Sequence, residues 1–238
     1  MPQTGDVDGK HAGRGMITQL ALVLGNFRSN LRQALLRSRL RRKNKIDRGV
    51  RIFKDVVFHG NAWIGENAIL ESEVVLSKNV RVGPYARLSR IKVGENSSVD
   101  YGVLCTGFGK GKIRIGKETY IGIRNVLDWS DDIAIGDFVH IAGPGTALWT
   151  HSTAKMCLNG IPLTRKDEGK FRPTAPITIE NNVYIGGNCT IYPGVTVHHH
   201  AVVAPNSAVT RDVPSYSMYG GVPAIMIKKI PPEDCSGR

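Results

Sequence analysis

One stretch of this chain, from Ile177 to Asp212, constrains its fold more than any other. It reads ITIENN-VYIGGN-CTIYPG-VTVHHH-AVVAPN-SAVTRD. An aliphatic residue returns at every sixth position, at Ile179, Ile185, Ile191, Val197, Val203 and Val209, and two residues before each stands another aliphatic or small residue. A helix repeats near 3.6 residues and a simple strand at two, so a beat of six fits neither as a continuous element. It does fit a short strand with alternate side chains inward, then a turn rich in Gly, Asn, Asp and His, then another short strand. Strand and turn at fixed length, repeated, predict a β-solenoid of hexapeptide units.

The same beat runs through most of the chain. It starts at Ile46 and continues at Ile52, Phe58, Ile64, Leu70, Leu76, Val82 and Leu88. After a one-residue slip near Ser89 it resumes at Val93, Val99 and Cys105, then at Ile115, Ile121, Leu127, Ile135 and Ile141. Counted this way, the solenoid over 46–230 has about seven coils. Two interruptions stand out. The segment GFGKGK at 107–112 lacks the spacing of a phosphate-binding loop and the Ser or Thr that would follow its lysine, so it reads as a turn insertion. The segment 150–176 loses the beat altogether, and a long excursion from a regular scaffold marks a functional loop. His151 stands at its root, directly after Trp149 and Thr150.

Before the solenoid, residues 1–15 carry four glycines and no apolar periodicity, which predicts a flexible tail. Over 16–45 the period becomes helical. Leu20, Leu24, Phe27, Leu31 and Leu35 form one stripe, with Arg28, Arg32, Arg37, Arg39, Arg41, Arg42, Lys43 and Lys45 around it. Much of the net charge of +12 therefore lies in one basic amphipathic helix. Two uses are open to it, packing on the solenoid or peripheral contact with anionic lipid headgroups. Nucleic acid is not predicted, because no reader motif or aromatic interleaving accompanies the arginines. The C-terminal residues 231–238 read as a short tail.

Cys105, Cys157, Cys189 and Cys235 form no CxxC pair, and two of them fall on beat positions. They read as core thiols of a reducing compartment. With the longest early apolar run, from Met16 to Gly25, too short to span a bilayer, this predicts a cytoplasmic protein.

The stretch from Ile115 to Ile230 resembles the hexapeptide-repeat acyltransferases, specifically the sugar and polysaccharide O-acetyltransferase branch. The matching segments are IGDFVHIAGPGTALWTHS, ITIENNVYIGGNCTIYPGVTV, SAVTRDVP and GGVPAIMIKKI. The resemblance implies a left-handed parallel β-helix that assembles as a homotrimer, with acetyl-CoA, or another acyl-CoA, lying between subunits. It places His151 at the general base and Gly187 at the backbone N–H that receives the oxyanion. Transfer from a thioester to a hydroxyl needs a proton removed as oxygen attacks, and imidazole, titrating near ~6.5, suits that task. Asn125 lies near the acceptor-binding asparagine of the family, one position out of step. Asp128, Asp131 or Asp132 would bind a sugar hydroxyl or orient His151, and Trp149 and Tyr184 would offer aromatic surface to the substrate.

For coenzyme A, the resemblance implies Thr210, Arg211 and Lys228. Two positions depart from the pattern. Pro205 has no N–H to offer the pantetheine arm, and Ile225 stands where a basic residue is usual, which passes that role to Lys229. The alternatives are an N-acyltransferase acting on an amino sugar, a zinc lyase like the γ-class carbonic anhydrases, and a non-catalytic scaffold. No metal is expected: His198, His199 and His200 are adjacent on one turn and point outward, and His140 and His151 lack a third ligand in register.

Overall fold

The computed structural model describes residues 43–53, 55–162 and 171–235. The expected tail and basic helix lie outside these residues, apart from the last three positions. Lys43 and Asn44 form a turn, and Lys45 already opens the first strand.

From there the chain is a left-handed parallel β-helix of about nine turns. A coil has three short strands, one on each face. Tyr184–Ile185 lies on a ten-stranded sheet, Thr190–Ile191 on an eight-stranded sheet and Thr196–Val197 on a seven-stranded sheet, counted among the described residues. The chain then returns to the first face one coil on, where Tyr184 pairs with Val202 and Ile185 with Val203, in parallel. The count of about seven coils from the beat is too low. The final coil is closed by Ser217–Gly220, which extends the ten-stranded sheet beside Val202–Val203 without showing the hexapeptide pattern.

The beat residues fill the interior. Ile64, Leu70, Ile121, Leu127, Ile141, Leu148 and Ile191 are completely buried, stacked coil on coil. Burial of one such side chain contributes about 1.5–3 kcal/mol, so the stacks supply most of the drive for coiling. The residues two positions earlier, such as Ala68, Ala86, Val183, Cys189 and Ala201, are also buried, at the bend of each coil. Corners require the left-handed backbone region, and asparagine occupies it at Asn79, Asn96, Asn188 and Asn206. These side chains also join across coils, Asn79 Nδ2 donating to Asn96 Oδ1 at 2.9 Å and Asn188 Nδ2 to Asn206 Oδ1 at 2.8 Å.

Insertions leave at corners without disturbing the coil. The long excursion departs after Ala147–Leu148 and returns at Ile177, which pairs in register with Ile133 one coil below. Its two feet are tied together: Ala175 N–H donates to Thr150 O at 2.9 Å, and Ser152 N–H to Pro173 O at 3.2 Å. Among the described residues between the feet runs one short helix, Ala154–Leu158, whose Met156 is buried.

At the far end, Ile225–Lys229 turns back antiparallel on Ser217–Gly220 with all five residues exposed. The expected C-terminal tail includes a short 3₁₀ turn at Pro232–Cys235. Among the described residues no helix is long and apolar enough to cross a membrane.

Candidate active site

The strand Val126–Asp128 ends the eight-stranded face of one coil, and Ala147–Leu148 ends it in the next. This register stacks the residues following Leu148 on those around Asp128, bringing together a carboxylate and an imidazole distant in sequence. Asp128 is completely buried. Its Oδ2 lies 2.6 Å from His151 Nδ1 and accepts the Thr150 N–H at 2.9 Å. Its Oδ1 accepts the Ser130 hydroxyl at 2.6 Å and the Ser130 N–H at 3.1 Å. Burial alone raises a carboxyl pKa, but the hydrogen bonds from Ser130 and His151 outweigh it here and hold Asp128 below the usual carboxylate range.

An ionised carboxylate only accepts, so the proton of neutral His151 sits on Nδ1, leaving the Nε2 lone pair available. The imidazole is partly exposed, at 20%. Phe108 packs against it edge-to-face with ring centroids 4.9 Å apart, and Trp149 flanks it at 6.2 Å. Trp149 is itself exposed at the surface.

Phe108 comes from the 107–112 insertion, which is a turn as expected but also forms a wall of the site. Thr106 is in register with Asp128, so the insertion leaves the coil directly beneath the carboxylate. Gly107 (φ +146°) lies so close that a Cβ there would stand 2.7 Å from Ser130 N and 2.8 Å from Asp128 Oδ1. The Phe108 N–H then donates to Ser130 Oγ at 3.1 Å. Over the Phe108 ring lies the Arg172 guanidinium, its carbon 4.1 Å from the ring centroid. Thr150, Ser130, Gly107, Phe108 and Arg172 are additions to the sequence-derived set. For all of these but Arg172 one signal was present, since the segments after Thr106, Asp128 and Trp149 leave the coil at equivalent positions.

Two expectations need correction. Asn125 is completely buried and cannot meet an acceptor: its amide nitrogen donates to Ile141 O at 3.3 Å and Ala142 O at 3.1 Å, while its oxygen accepts the Thr146 N–H at 2.9 Å. It satisfies backbone at a bend. Asp128 is likewise closed to a sugar hydroxyl and positions His151 instead. Asp131 and Asp132 are also engaged locally, Asp131 Oδ2 accepting from Thr174 Oγ1 at 2.8 Å and Asp132 accepting from Lys112 N at 2.8 Å and Arg114 at 3.1 Å.

The other expected residues lie elsewhere on the coil. Gly187 occupies the corner where the chain enters the eight-stranded face, whereas His151 stands where it leaves. A Cβ at Gly187 would meet Gly143 O at 2.7 Å, so the coil beneath demands this glycine, independently of any ligand. No described residue accepts its N–H. Pro205 stacks on the same entry corner one coil on, where Asn206 N–H donates to Gly187 O at 3.0 Å. Thr210 and Arg211, both exposed, follow Ala208–Val209 on the exit corner that carries His151. Tyr184 is exposed on the ten-stranded face with its ring 5.4 Å from that of His140, and Lys228 and Lys229 lie on the exposed last strand.

The histidine triplet packs its own corner. His198 Nδ1 lies 3.1 Å from Glu180 Oε1, the His199 N–H donates to Glu180 Oε2 at 2.9 Å, and His200 stacks on Tyr216 at 4.9 Å. Among the described residues no three His, Cys, Asp or Glu side chains converge as metal ligands.

Comparison with known proteins agrees with the repeat. Residues 176–211 match the family model described as bacterial transferase hexapeptide, six repeats. The bifunctional protein GlmU of Heliobacterium modesticaldum is 28% identical over 77% of this chain, which spans 43% of that protein. The galactoside O-acetyltransferase of Escherichia coli K12 is 34% identical over 60% of this chain, which spans 65% of it. A hexapeptide-repeat acetyltransferase of Vibrio cholerae, solved with acetyl coenzyme A, is 34% identical, with 58% of this chain and 70% of that one aligned and a TM-score of 0.48. With the matched repeats and sequence identity pointing the same way as the coil itself, the chain belongs to the hexapeptide-repeat acyltransferases.

Proposed function

We propose that this protein transfers an acetyl group from acetyl-CoA to a hydroxyl of a sugar or polysaccharide precursor, with His151 as general base. The observation that carries the reading is the Asp128–His151 pair. A buried carboxylate fixes the imidazole through Nδ1, and Nε2 is left to take a proton at a partly exposed surface. Similarity to a galactoside O-acetyltransferase supports the same class of acceptor.

In this mechanism the acceptor oxygen attacks the thioester carbonyl while His151 Nε2 removes its proton. A C–O bond forms and negative charge gathers on the carbonyl oxygen, where the Gly187 N–H stabilises it. Collapse breaks the C–S bond, and His151 returns the proton to the departing sulfur. Asp128 stays ionised throughout and stabilises the transient imidazolium. Thr210, Arg211, Lys228 and Lys229 supply donors and positive charge for the phosphates of coenzyme A.

One chain puts His151 and Gly187 on different corners of a coil. Facing the exit corner of one subunit with the entry corner of a neighbour completes the site, which favours a homotrimer with active sites between subunits. We assign the protein to the cytoplasm, where acetyl-CoA is available.

The test is titration calorimetry with acetyl-CoA and coenzyme A on the parent, on His151→Ala and on the double variant Arg211→Ala/Lys228→Ala, together with acetyl transfer by the first two. Saturable binding that survives in His151→Ala, with turnover lower by ~10²- to 10⁴-fold, is expected. The double variant should bind more weakly. Absence of binding to the parent at millimolar acetyl-CoA would refute the donor assignment.

A further inference from the structure

A buried carboxylate offers about four lone-pair sites, and each needs a donor. At Asp128 all of them are filled. Its Oδ2 takes the His151 Nδ1–H at 2.6 Å and the Thr150 N–H at 2.9 Å, and its Oδ1 takes the Ser130 hydroxyl at 2.6 Å and the Ser130 N–H at 3.1 Å. The Thr150 hydroxyl has one proton and gives it to the backbone oxygen of Asp128 at 2.7 Å, nearer than Oδ2 at 3.0 Å. Two of the donors are thus main chain and one is the imidazole itself. Among the described residues, the Ser130 hydroxyl is the remaining side chain through which the carboxylate can be adjusted.

That hydroxyl is itself held in place. Ser130 is buried, and its Oγ accepts the Phe108 N–H at 3.1 Å and stands 3.1 Å from His151 Nδ1. Its proton could face Asp128 or the ring, but an ionised oxygen at 2.6 Å attracts it and a protonated Nδ1 does not. Ser130 therefore draws charge toward the carboxylate oxygen that does not bind the imidazole. Burial pushes the Asp128 carboxyl up, and the Ser130 hydroxyl comes first among the hydrogen bonds that outweigh it.

We infer that Ser130 is a positioning residue for the acyl transfer: by sharing the Asp128 carboxylate it loosens the hold on an imidazolium and keeps His151 neutral, with its proton on Nδ1, ready to act as base. The inference rests on the proposed role of His151. Without the Ser130 donor the carboxylate would direct more of its charge to the ring, and His151 would keep a second proton to higher pH. The relay begins in the 107–112 insertion, since Phe108 supplies both the N–H that fixes Ser130 and the ring that packs on His151 at 4.9 Å. Other charged groups stand on the same elements. The Arg172 guanidinium carbon lies 4.1 Å from the Phe108 centroid, and Asp131 accepts from Thr174 Oγ1 at 2.8 Å. Asp132 pairs with Arg114 at 3.1 Å and Lys112 with Glu73 at 3.0 Å. All of these are kept when Ser130 alone is replaced.

The experiment titrates the full chain by NMR, with carbon-13 at histidine Cε1, as parent, Ser130→Ala, Ser130→Cys and Ser130→Thr. The His151 signal is the one missing from His151→Gln. Ser130→Cys keeps the volume with a much weaker donor, and Ser130→Thr keeps the hydroxyl. In the Ala and Cys variants His151 should hold its proton to higher pH by ~0.5–1 unit, the effect of one hydrogen bond, and in Ser130→Thr it should return toward the parent. Acetyl transfer from acetyl-CoA to galactose and maltose, read as release of the coenzyme thiol, should show its acidic limb displaced by the same amount. On that limb kcat/KM then falls by roughly 3- to 10-fold. A His151 titration that is unmoved or lowered in both the Ala and Cys variants, or a Cys variant that titrates like the parent, would overturn the inference and leave Ser130 a packing residue.

The two readouts separate this inference from the one beneath it. Turnover unchanged in His151→Gln would sink the general base, while a displaced titration would still show the relay from Ser130 to the ring. An unmoved titration in an enzyme that loses turnover in His151→Gln would sink the relay alone.

Discussion

Asp128 Oδ2 stands 2.6 Å from His151 Nδ1, and Asp128 has no contact with solvent at all. The carboxylate therefore fixes the ring from inside the coil and leaves Nε2 as the nitrogen open to the proposed base chemistry. Asp128→Asn replaces an acceptor with an amide that can turn its NH₂ toward the ring, which moves the imidazole proton to Nε2 and removes the base. Turnover should fall by about 10²- to 10⁴-fold. Coenzyme affinity, measured by calorimetry, should change little, because the carboxylate lies away from the proposed phosphate contacts.

The same carboxylate links folding to acidity. The Asp128 pKa is lowered in the folded state, as its hydrogen bonds outweigh its burial, so its contribution to stability is complete above the unfolded value of ~3.9 and is lost as pH falls through the folded one. Urea unfolding of the parent and Asp128→Asn should differ by about 2 kcal/mol at pH 7, the scale of a broken buried network. The gap should narrow as pH drops below the carboxylate range. A gap that widens in acid would contradict the assignment.

Gly107→Ala tests the approach of the insertion to the carboxylate. The new methyl group would meet Ser130 N and Asp128 Oδ1 at 2.7 and 2.8 Å, on a backbone with φ +146°. We expect a loss of roughly 1–3 kcal/mol in stability, by backbone strain. The loss should be accompanied by a fall in kcat, as Ser130 and Phe108 shift around His151. Calorimetric melting and steady-state kinetics measure the two effects.

Asn125→Leu distinguishes an internal strut from an acceptor ligand. The variant leaves the Ala142 carbonyl and the Thr146 N–H without their partner inside the coil, while the Ile141 carbonyl keeps the Gly122 N–H at 2.8 Å. Stability should fall by about 1–3 kcal/mol for such unsatisfied groups. An acceptor KM raised tenfold with unchanged melting would restore Asn125 to the binding site.

Thiol chemistry offers a check on the core. Burial pushes the Cys105 thiol up to about 12 and raises that of Cys189, whereas Cys157 is exposed. Iodoacetamide at pH 8 should alkylate Cys157 in the folded protein, and Cys105 and Cys189 only after denaturation. Peptide mass spectrometry reads the order of modification.

The beat at Ile179, Ile185 and Ile191 foretold the coil because each turn repeats the same steric problem and the same answer to it. The end of the coil was less legible, since Ser217–Gly220 joins the sheet by backbone hydrogen bonding, which leaves little mark on side-chain pattern. His151 was singled out by its place at the root of the long loop. Its partner was not singled out: Asp128, Asp131 and Asp132 are neighbours in sequence, and only the register of Leu127 with Leu148 decides which carboxylate faces the ring. Arg172 was hidden for a similar reason, because its position depends on how a patternless loop closes on Pro173 and Thr174.

The in-register pairing of Ile133 with Ile177 across the base of the long loop shows that the coil is indifferent to the length of chain leaving at its corners. Scaffold and loop can thus be altered as separate modules. Exchanging the excursion between its tied feet for one of another length or charge should give a protein with the same solenoid, the same Asp128–His151 pair and a new choice of acceptor.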